Sequence, residues 1–352
     1  MKKVVVGMSG GVDSAVTAYI LKNLGYEVVG VTLKTWVAQG EVSRCCELDD
    51  ARAVADMLSI PFYTVNCAGE FSREVVGPFV GDYMNGLTPN PCVVCNRSVK
   101  WAKMLEFADS VGARFVATGH YASVVRKENG RFTVKTSAHA EKDQTYMLYR
   151  LTQPQLERTI MPLGELSKDE VRKIADSARL PVAKKPDSQE ICFITEGTYA
   201  DYIEQNCPDY EPKAGNFTDE DGNILGVHKG LIHYTVGQRK GLGSAFGRPV
   251  YVKRSDPVTN SVILAEDDAL YTSQITVRSL NFMGIGGIED GGKIRARVRI
   301  RYHHKGENAV IERIGEDLVK VTFDTPVRAA TPGQSAVFYD DEGCVTGGGI
   351  IA

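Results

Sequence analysis

The chain has 352 residues, 43% hydrophobic and 24% charged, with a formal net charge of −3. This length predicts two or three domains, and the charge excludes a uniformly basic surface while leaving room for a local basic patch. No apolar run approaches a membrane span and no signal-peptide pattern follows Met1-Lys2-Lys3, so a cytoplasmic protein is expected. Its eight cysteines are then expected to be reduced, metal-bound or catalytic rather than a disulfide framework.

Val4-Val5-Val6 reads as a buried strand, Gly7 to Ser14 as a glycine-rich turn, and Ala15 to Leu24 as a helix stopped by Gly25. Free backbone N–H groups and the positive end of the helix dipole meet at such a turn, which suits phosphate. Gly10 and Gly11 allow close approach by an anion, and Ser9 and Ser14 add hydroxyls. The stretch has neither Gly-Lys-Ser/Thr nor G-x-G-x-x-G, which excludes the two better-known phosphate loops. The plain alternative is a structural turn opening an α/β fold. As it stands, SGGVDS resembles the PP-loop of the ATP pyrophosphatases. That resemblance implies splitting of ATP to AMP and pyrophosphate and does not name the substrate.

Glu27 to Thr32 reads as a second strand, with Leu33 at its carboxyl end either touching adenine or serving as an ordinary apolar residue. A polar loop holding Cys45 and Cys46 follows, then a helix over 49–58, a strand over 62–66 and a helix over 71–85. In TPNPCVVCNRSVKW, Pro89 and Pro91 predict a stiff non-helical loop. Cys92 and Cys95 then form a CxxC opening a helix over 99–108, which favours a reactive thiolate at Cys95 or a metal ligand at either cysteine. Phe115 to Tyr121 reads as a strand whose Gly119 admits a nucleotide and whose His120 is either a loop residue or functional. A hairpin over 123–137 turns at Asn129-Gly130. A helix over 163–178 carries the capping-box pair Ser167 and Glu170. Cys192 sits in the short apolar run of KKPDSQEICFI.

The helical signal fades near 205–212, and turn signals then recur about every ten residues between short β-rich runs. The expected architecture is an α/β parallel-sheet PP-loop domain of the adenine nucleotide alpha hydrolase type over 1–206, a small β-rich domain over 207–272 and a C-terminal β-barrel over 273–352. From Lys293 to Tyr302 the alternation puts Lys293, Arg295, Arg297, Arg299 and Arg301 on one face of one strand. Such a face calls for a polyanion, with a nucleic-acid backbone favoured over a merely solvated surface.

GMSGGVDS, TPNPCVVCN, ATGHY, KDQTYML, DSQEICFI, YTVGQRKGLG and PGQSAVFY together resemble the tRNA-specific 2-thiouridylase family across nearly the whole chain. The resemblance implies an ATP site, with Mg2+, at Gly7, Met8, Ser9, Gly10, Gly11, Val12, Asp13 and Ser14 together with Leu33 and Gly119. It makes Asn90, Pro91 and Cys92 the segment that meets the target base, Cys95 the nucleophile and Cys192 the persulfide carrier. His120, Lys142, Asp143, Gln144, Arg301, Tyr302 and Gln334 match tRNA-contact positions. The implied substrates are the wobble uridines of Lys, Glu and Gln tRNAs, and the implied partner is a sulfur-donor protein, a cysteine desulfurase or persulfide carrier. Two departures stand out: many members have Asp at Cys92, and many have Thr-Gly at Gln189-Glu190.

The chemistry implied is adenylation of the uracil C2 oxygen, so that AMP leaves when sulfur adds. Sulfur on Cys192 either is released as sulfide by Cys95 or adds directly, with Cys95 resolving the disulfide. The target uridine must leave its stack to reach such a pocket. Cys92 opens a rival in which Cys92, Cys95 and Cys192 hold a 4Fe–4S cluster whose fourth iron binds exogenous sulfide. Zinc on Cys45, Cys46, Cys92 and Cys95 is a weaker option, because adjacent cysteines chelate one metal awkwardly. Small-molecule synthetases of the same loop class need neither the paired cysteines nor the basic tail. A different class, an ATP-dependent RNA-binding module without turnover, is distinguished by tRNA-dependent pyrophosphate release.

Overall fold

The computed structural model describes the chain except for residues 1, 36, 39–40, 43–47, 187–190, 195, 208–209 and 244–245, so Cys45, Cys46, Gln189 and Glu190 lie outside the described residues. Five parallel strands form the first sheet, in the order Phe62–Asn66, Glu27–Lys34, Lys3–Gly7, Phe115–Ala117, Thr159–Ile160. The central strand comes first in the chain. Successive strands are added on one side of it, and the chain then crosses to the other side. The order therefore reverses between Lys3–Gly7 and Phe115–Ala117, and ligands of open α/β sheets bind outside the carboxyl ends at such a point. SGGVDS emerges at that crevice.

Period-two alternation splits the first strand between two cores. Val5 packs with Trp101 and Met104 on one face, while Val4 and Val6 pack with Val16 and Leu21 of helix Val12–Asn23 on the other.

The proline-rich loop corrects one expectation. Asn90 is an N-cap and Pro91 the first helical residue, so Pro91 starts a helix rather than excluding one. Pro91–Cys95 runs on through a π turn, Asn96–Trp101, into Ala102–Ser110. The helix thus begins eight residues earlier than its apolar periodicity suggests, and the π turn is what breaks that periodicity. Ser167 caps Lys168–Ser177 with the expected capping box.

Beyond the parallel sheet, Gly215–Thr218, Ile224–His228, Tyr251–Asp256 and Ser261–Ala265 form a four-stranded sheet around Phe217 and Val252. A closed barrel of six strands spans Tyr271–Phe282 to Val345–Ile351. The hairpin of Ala122–Arg126 and Phe132–Thr136 docks on this barrel: Arg131 donates to the carbonyls of Phe282 and Met283, and Thr133 to that of Val345 at 2.6 Å. Val134, Tyr146 and Tyr149 share one core with Met283, Val337, Tyr339 and Val345, so barrel and parallel-sheet domain are packed together.

The basic strand is also corrected. In Lys293–Arg299 the cations do share a face, but the protein itself neutralises most of it. Lys293 pairs with Glu312 at 3.4 Å, Arg295 with Asp324 at 2.5 Å and Arg299 with Asp143 at 2.5 Å. Those carboxylates come from neighbouring barrel strands and from a segment 156 residues away.

Candidate active site

The phosphate loop is built from the backbone. Gly10 has a φ of 74°, and Gly11 caps the following helix with no side-chain hydrogen bond, leaving the first-turn N–H groups for a ligand. Ser14 Oγ donates to the Gly11 carbonyl at 3.0 Å and accepts from Ser9 N at 3.2 Å, which braces the turn. Met8 and Val12 are buried in the core, so only their backbone faces the loop. Leu33 is buried at its strand end. A Cβ on Gly119 would lie 2.7 Å from the Asp13 carbonyl carbon and 2.9 Å from Ser14 N. The lack of a side chain at Gly119 therefore serves first to seat the loop's own helix, where the sequence suggested room for a nucleotide.

Two lysines escaped the sequence reading. Lys168 Nζ lies 2.8 and 2.9 Å from the two oxygens of Asp13, and Tyr121 donates its hydroxyl to Asp13 at 2.8 Å. Lys185 Nζ donates to the Gly10 carbonyl at 3.2 Å and pairs with Asp50 at 2.6 Å, and burial lowers its pKa. Both lysines come from segments more than 150 residues downstream, so spacing near the loop could not reveal them. The one local signal was Lys168 directly after the N-cap Ser167. The arrangement puts two cations beside a helix N-terminus, which suits a polyphosphate.

The CxxC helix has its own supports. Asn90 accepts from Val93 N at 3.4 Å, and Asn96 donates to the Met147 carbonyl at 2.9 Å. Cys92 is half-buried in the first helical turn, where the dipole acts most strongly, whereas Cys95 lies a turn deeper and is 5% exposed. Cys192 is half-buried and packs against the core that contains Cys95. Its neighbour Phe193 anchors it edge-on to Phe71, Phe79 and Tyr202 at 5.2 to 5.6 Å. Among the described residues, ligand atoms within 4.8 Å of one another are found for Asp340, Glu342 and Cys344 on the barrel, not for Cys92, Cys95 and Cys192.

Of the seven positions expected to meet tRNA, several point inward. Asp143 is buried, accepts from Ser137 N and Thr145 Oγ1, and holds Arg299. Gln144 accepts from Tyr121 N at 2.9 Å and so braces the residue that reaches Asp13. Gln334 donates to the carbonyls of Thr88 and Pro89 at 2.8 and 3.3 Å, tying the barrel to the loop before the CxxC helix. His120 Nδ1 contacts Thr118 Oγ1 at 2.8 Å, and burial, with Lys100 nearby, pushes its pKa down to about 3, so its ring is neutral at physiological pH. Lys142 is half-buried on the turn before Asp143. Arg301 is exposed and donates to the Arg328 carbonyl at 3.1 Å. Tyr302 lies 6.2 Å from the Tyr146 ring, and Cys92 is among the groups acting on its hydroxyl, so the barrel reaches the CxxC helix here.

Comparison with known proteins agrees in extent with this architecture. The chain matches the family described as tRNA methyl transferase HUP domain over residues 2–196, the corresponding PRC-barrel domain over 201–266 and the aminomethyltransferase beta-barrel domain over 272–351. It is 50% identical over 362 residues to a tRNA-specific 2-thiouridylase of Lachnoclostridium phytofermentans, with 100% of both chains covered. It is 49% identical to that of Acetivibrio thermocellus, with 99% of each chain covered, and 45% identical to that of Clostridioides difficile, with 99% of this chain and 98% of the relative covered. A glycine loop at a helix N-terminus flanked by two lysines, a CxxC helix tied to a β-barrel and full-length relatives at this identity lead to one assignment: the chain belongs to the tRNA-specific 2-thiouridylase family.

Proposed function

We propose that this protein is an ATP-dependent tRNA-uridine 2-sulfurtransferase acting on the wobble uridine of Lys, Glu and Gln tRNAs in the cytoplasm. The observation that carries the reading is the loop at the strand-order reversal, flanked by Lys168 and Lys185, in the same domain as the CxxC helix and the Cys192 segment. The family profile's wording names a methyl transferase, whereas the relatives' names specify thiolation. A pyrophosphate loop with two cysteines against one core suits sulfur transfer.

In the first step the uracil C2 oxygen attacks the α-phosphorus of ATP, and pyrophosphate leaves into the N–H groups at Gly11 and the two lysines, with Mg2+ accompanying the triphosphate. In the second, the terminal sulfur of a Cys192 persulfide bonds to C2. Cys95 attacks the Cys192 sulfur, the sulfur–sulfur bond breaks toward the base, and AMP departs with the oxygen. A Cys95–Cys192 disulfide remains. An external thiol reduces it, and a sulfur-donor protein reloads Cys192. The alternative of sulfide release by Cys95 before addition leaves the same disulfide.

A second reading follows from Cys92, which stands half-buried one turn before Cys95: with Cys192 it supplies three thiols of the kind that hold a 4Fe–4S cluster. The test is full-length enzyme with ATP, a persulfide donor and unmodified tRNA, followed by nucleoside mass spectrometry. Equal amounts of 2-thiouridine and AMP are expected, and no AMP in the presence of tRNA defeats the proposal. Anaerobic enzyme that carries iron and needs it for activity selects the second reading.

A further inference from the structure

Most half-buried arginines of this protein are bonded to an oxygen acceptor. Arg131, Arg158, Arg299, Arg313 and Arg328 each donate to a carbonyl or carboxylate. Arg97 and Arg150 do not: both are half-buried, and among the described residues neither guanidinium has an ion pair or a hydrogen bond. Arg150 Nε is covered from solvent with no hydrogen-bond partner, the one such atom on a charged side chain among the described residues. Burying a guanidinium that finds no acceptor is costly.

The two side chains come from different segments held together by backbone contacts. Asn96 bonds to the carbonyl of Met147 at 2.9 Å, and Gln155 donates to the carbonyl of Arg97 at 3.0 Å. On the barrel side, Asn281 donates to the carbonyl of Tyr149 at 2.7 Å. The pair therefore sits where the CxxC helix, the 145–151 segment and the barrel meet, with Arg97 two residues beyond Cys95. Burial and the neighbouring Arg150 together hold the Arg97 pKa below its ordinary value, and no carboxylate is among the groups acting on it. Two like charges thus lie near enough to act on each other, and among the described residues neither is paired with a carboxylate. In the charged strand Lys293–Arg299, which looked better suited to RNA in sequence, three of the four cations already have carboxylates, and Arg297 bonds a carbonyl.

We propose that Arg97 and Arg150 form a binding site for one RNA phosphodiester, which anchors the tRNA strand at the junction of the parallel-sheet domain and the barrel. Guanidinium pairs bind phosphate bidentately, and a phosphodiester supplies the acceptors that both side chains lack. The inference rests on tRNA being the substrate, and its test separates the two.

Arg97→Ala, Arg150→Ala and the double variant are compared with the unaltered protein for binding of an unmodified tRNA transcript at several salt concentrations. The slope of log K against log salt is expected to fall by about 0.7 to 0.9 in the double variant, as for one lost phosphate contact. ATP affinity should be unchanged. Without tRNA, each single variant should melt at or above the temperature of the unaltered protein, because a like-charge contact is removed. An unchanged salt slope together with a lowered melting temperature overturns the proposal and makes the pair structural. Loss of ATP affinity with an unchanged slope assigns the pair to the nucleotide and overturns it equally. Failure of the unaltered protein to bind tRNA defeats instead the reading of the substrate.

Discussion

Asp13 shows how a loop residue can be specified from far away. Its carboxylate holds Lys168 and Tyr121, so its charge is matched before ATP arrives. Asp13→Ala and Ser14→Ala are expected to abolish AMP formation with tRNA binding retained, measured by tRNA-dependent AMP release. Lys168→Met should lower kcat by about a hundredfold, the usual effect of losing one donor to a developing negative charge. Normal AMP release by these variants would show that the loop does not hold pyrophosphate. Among the cysteines, Cys95→Ser and Cys192→Ser are expected to lose thiolation while still binding ATP and tRNA, because serine keeps the shape but carries no sulfane sulfur. Cys92→Ser retains activity if sulfur travels as a persulfide, and loses both activity and iron if a cluster is used. His120 gives a pH signature. Its folded pKa of about 3 lies below the ordinary 6.5, so the unfolded chain binds the extra proton between these values. His120 therefore lowers stability as pH falls from about 6.5 toward 3. Replacing it with Gln should flatten that acid limb in urea titrations, and an unchanged limb would show that the ring is not held neutral.

At the scale of elements, the CxxC helix and the first helix are each set by their N-termini. The first helix needs a neighbour with no side chain, because a Cβ on Gly119 would meet its backbone at 2.7 to 2.9 Å. Gly119→Ala should shift the Asp13–Ser14 turn, cost about 1 to 3 kcal/mol and raise the KM for ATP more than that for tRNA. An unchanged KM for ATP would show that the loop tolerates the shift. The cysteine helix shows why local reading mislocates a start: proline breaks a helix from within but opens one at its first position. In TPNPC the order Asn-Pro is itself a helix-start signal, a capping residue before a proline at the first position, which the emphasis on proline as a breaker overrode. The Asn90 cap and the packing of Val93 into the core fix that start.

Across the whole molecule, one chain of contacts runs from the barrel to the loop. Arg299 bonds Asp143, the adjacent Gln144 braces Tyr121, and Tyr121 bonds Asp13. Arg299 and Asp143 are 16% and 3% exposed, so removing one partner strands a buried charge. Asp143→Ala should destabilise the protein by about 3 to 5 kcal/mol in denaturant titration. A loss below about 1 kcal/mol would mean that the pair is solvated. The barrel is in this sense part of the parallel-sheet domain's framework.

The sequence by itself determined the local features: the strand–loop–helix with its glycines, the Asn129-Gly130 hairpin turn, the Ser167–Glu170 cap, the β-rich second half and, through its motifs, the family. Each depends on residues within a few positions of one another, where backbone preference and side-chain period act directly. Only the tertiary structure decided what those side chains face. It gave Asp143 and Gln334, expected to meet RNA, interdomain bonds that no local pattern revealed. It gave Lys293, Arg295 and Arg299 their carboxylates, and it brought Lys168 and Lys185 to a loop more than 150 residues away. The physical reason is common to all of these: a charge is legible in sequence, but its partner is fixed by the fold, and charges interact through space.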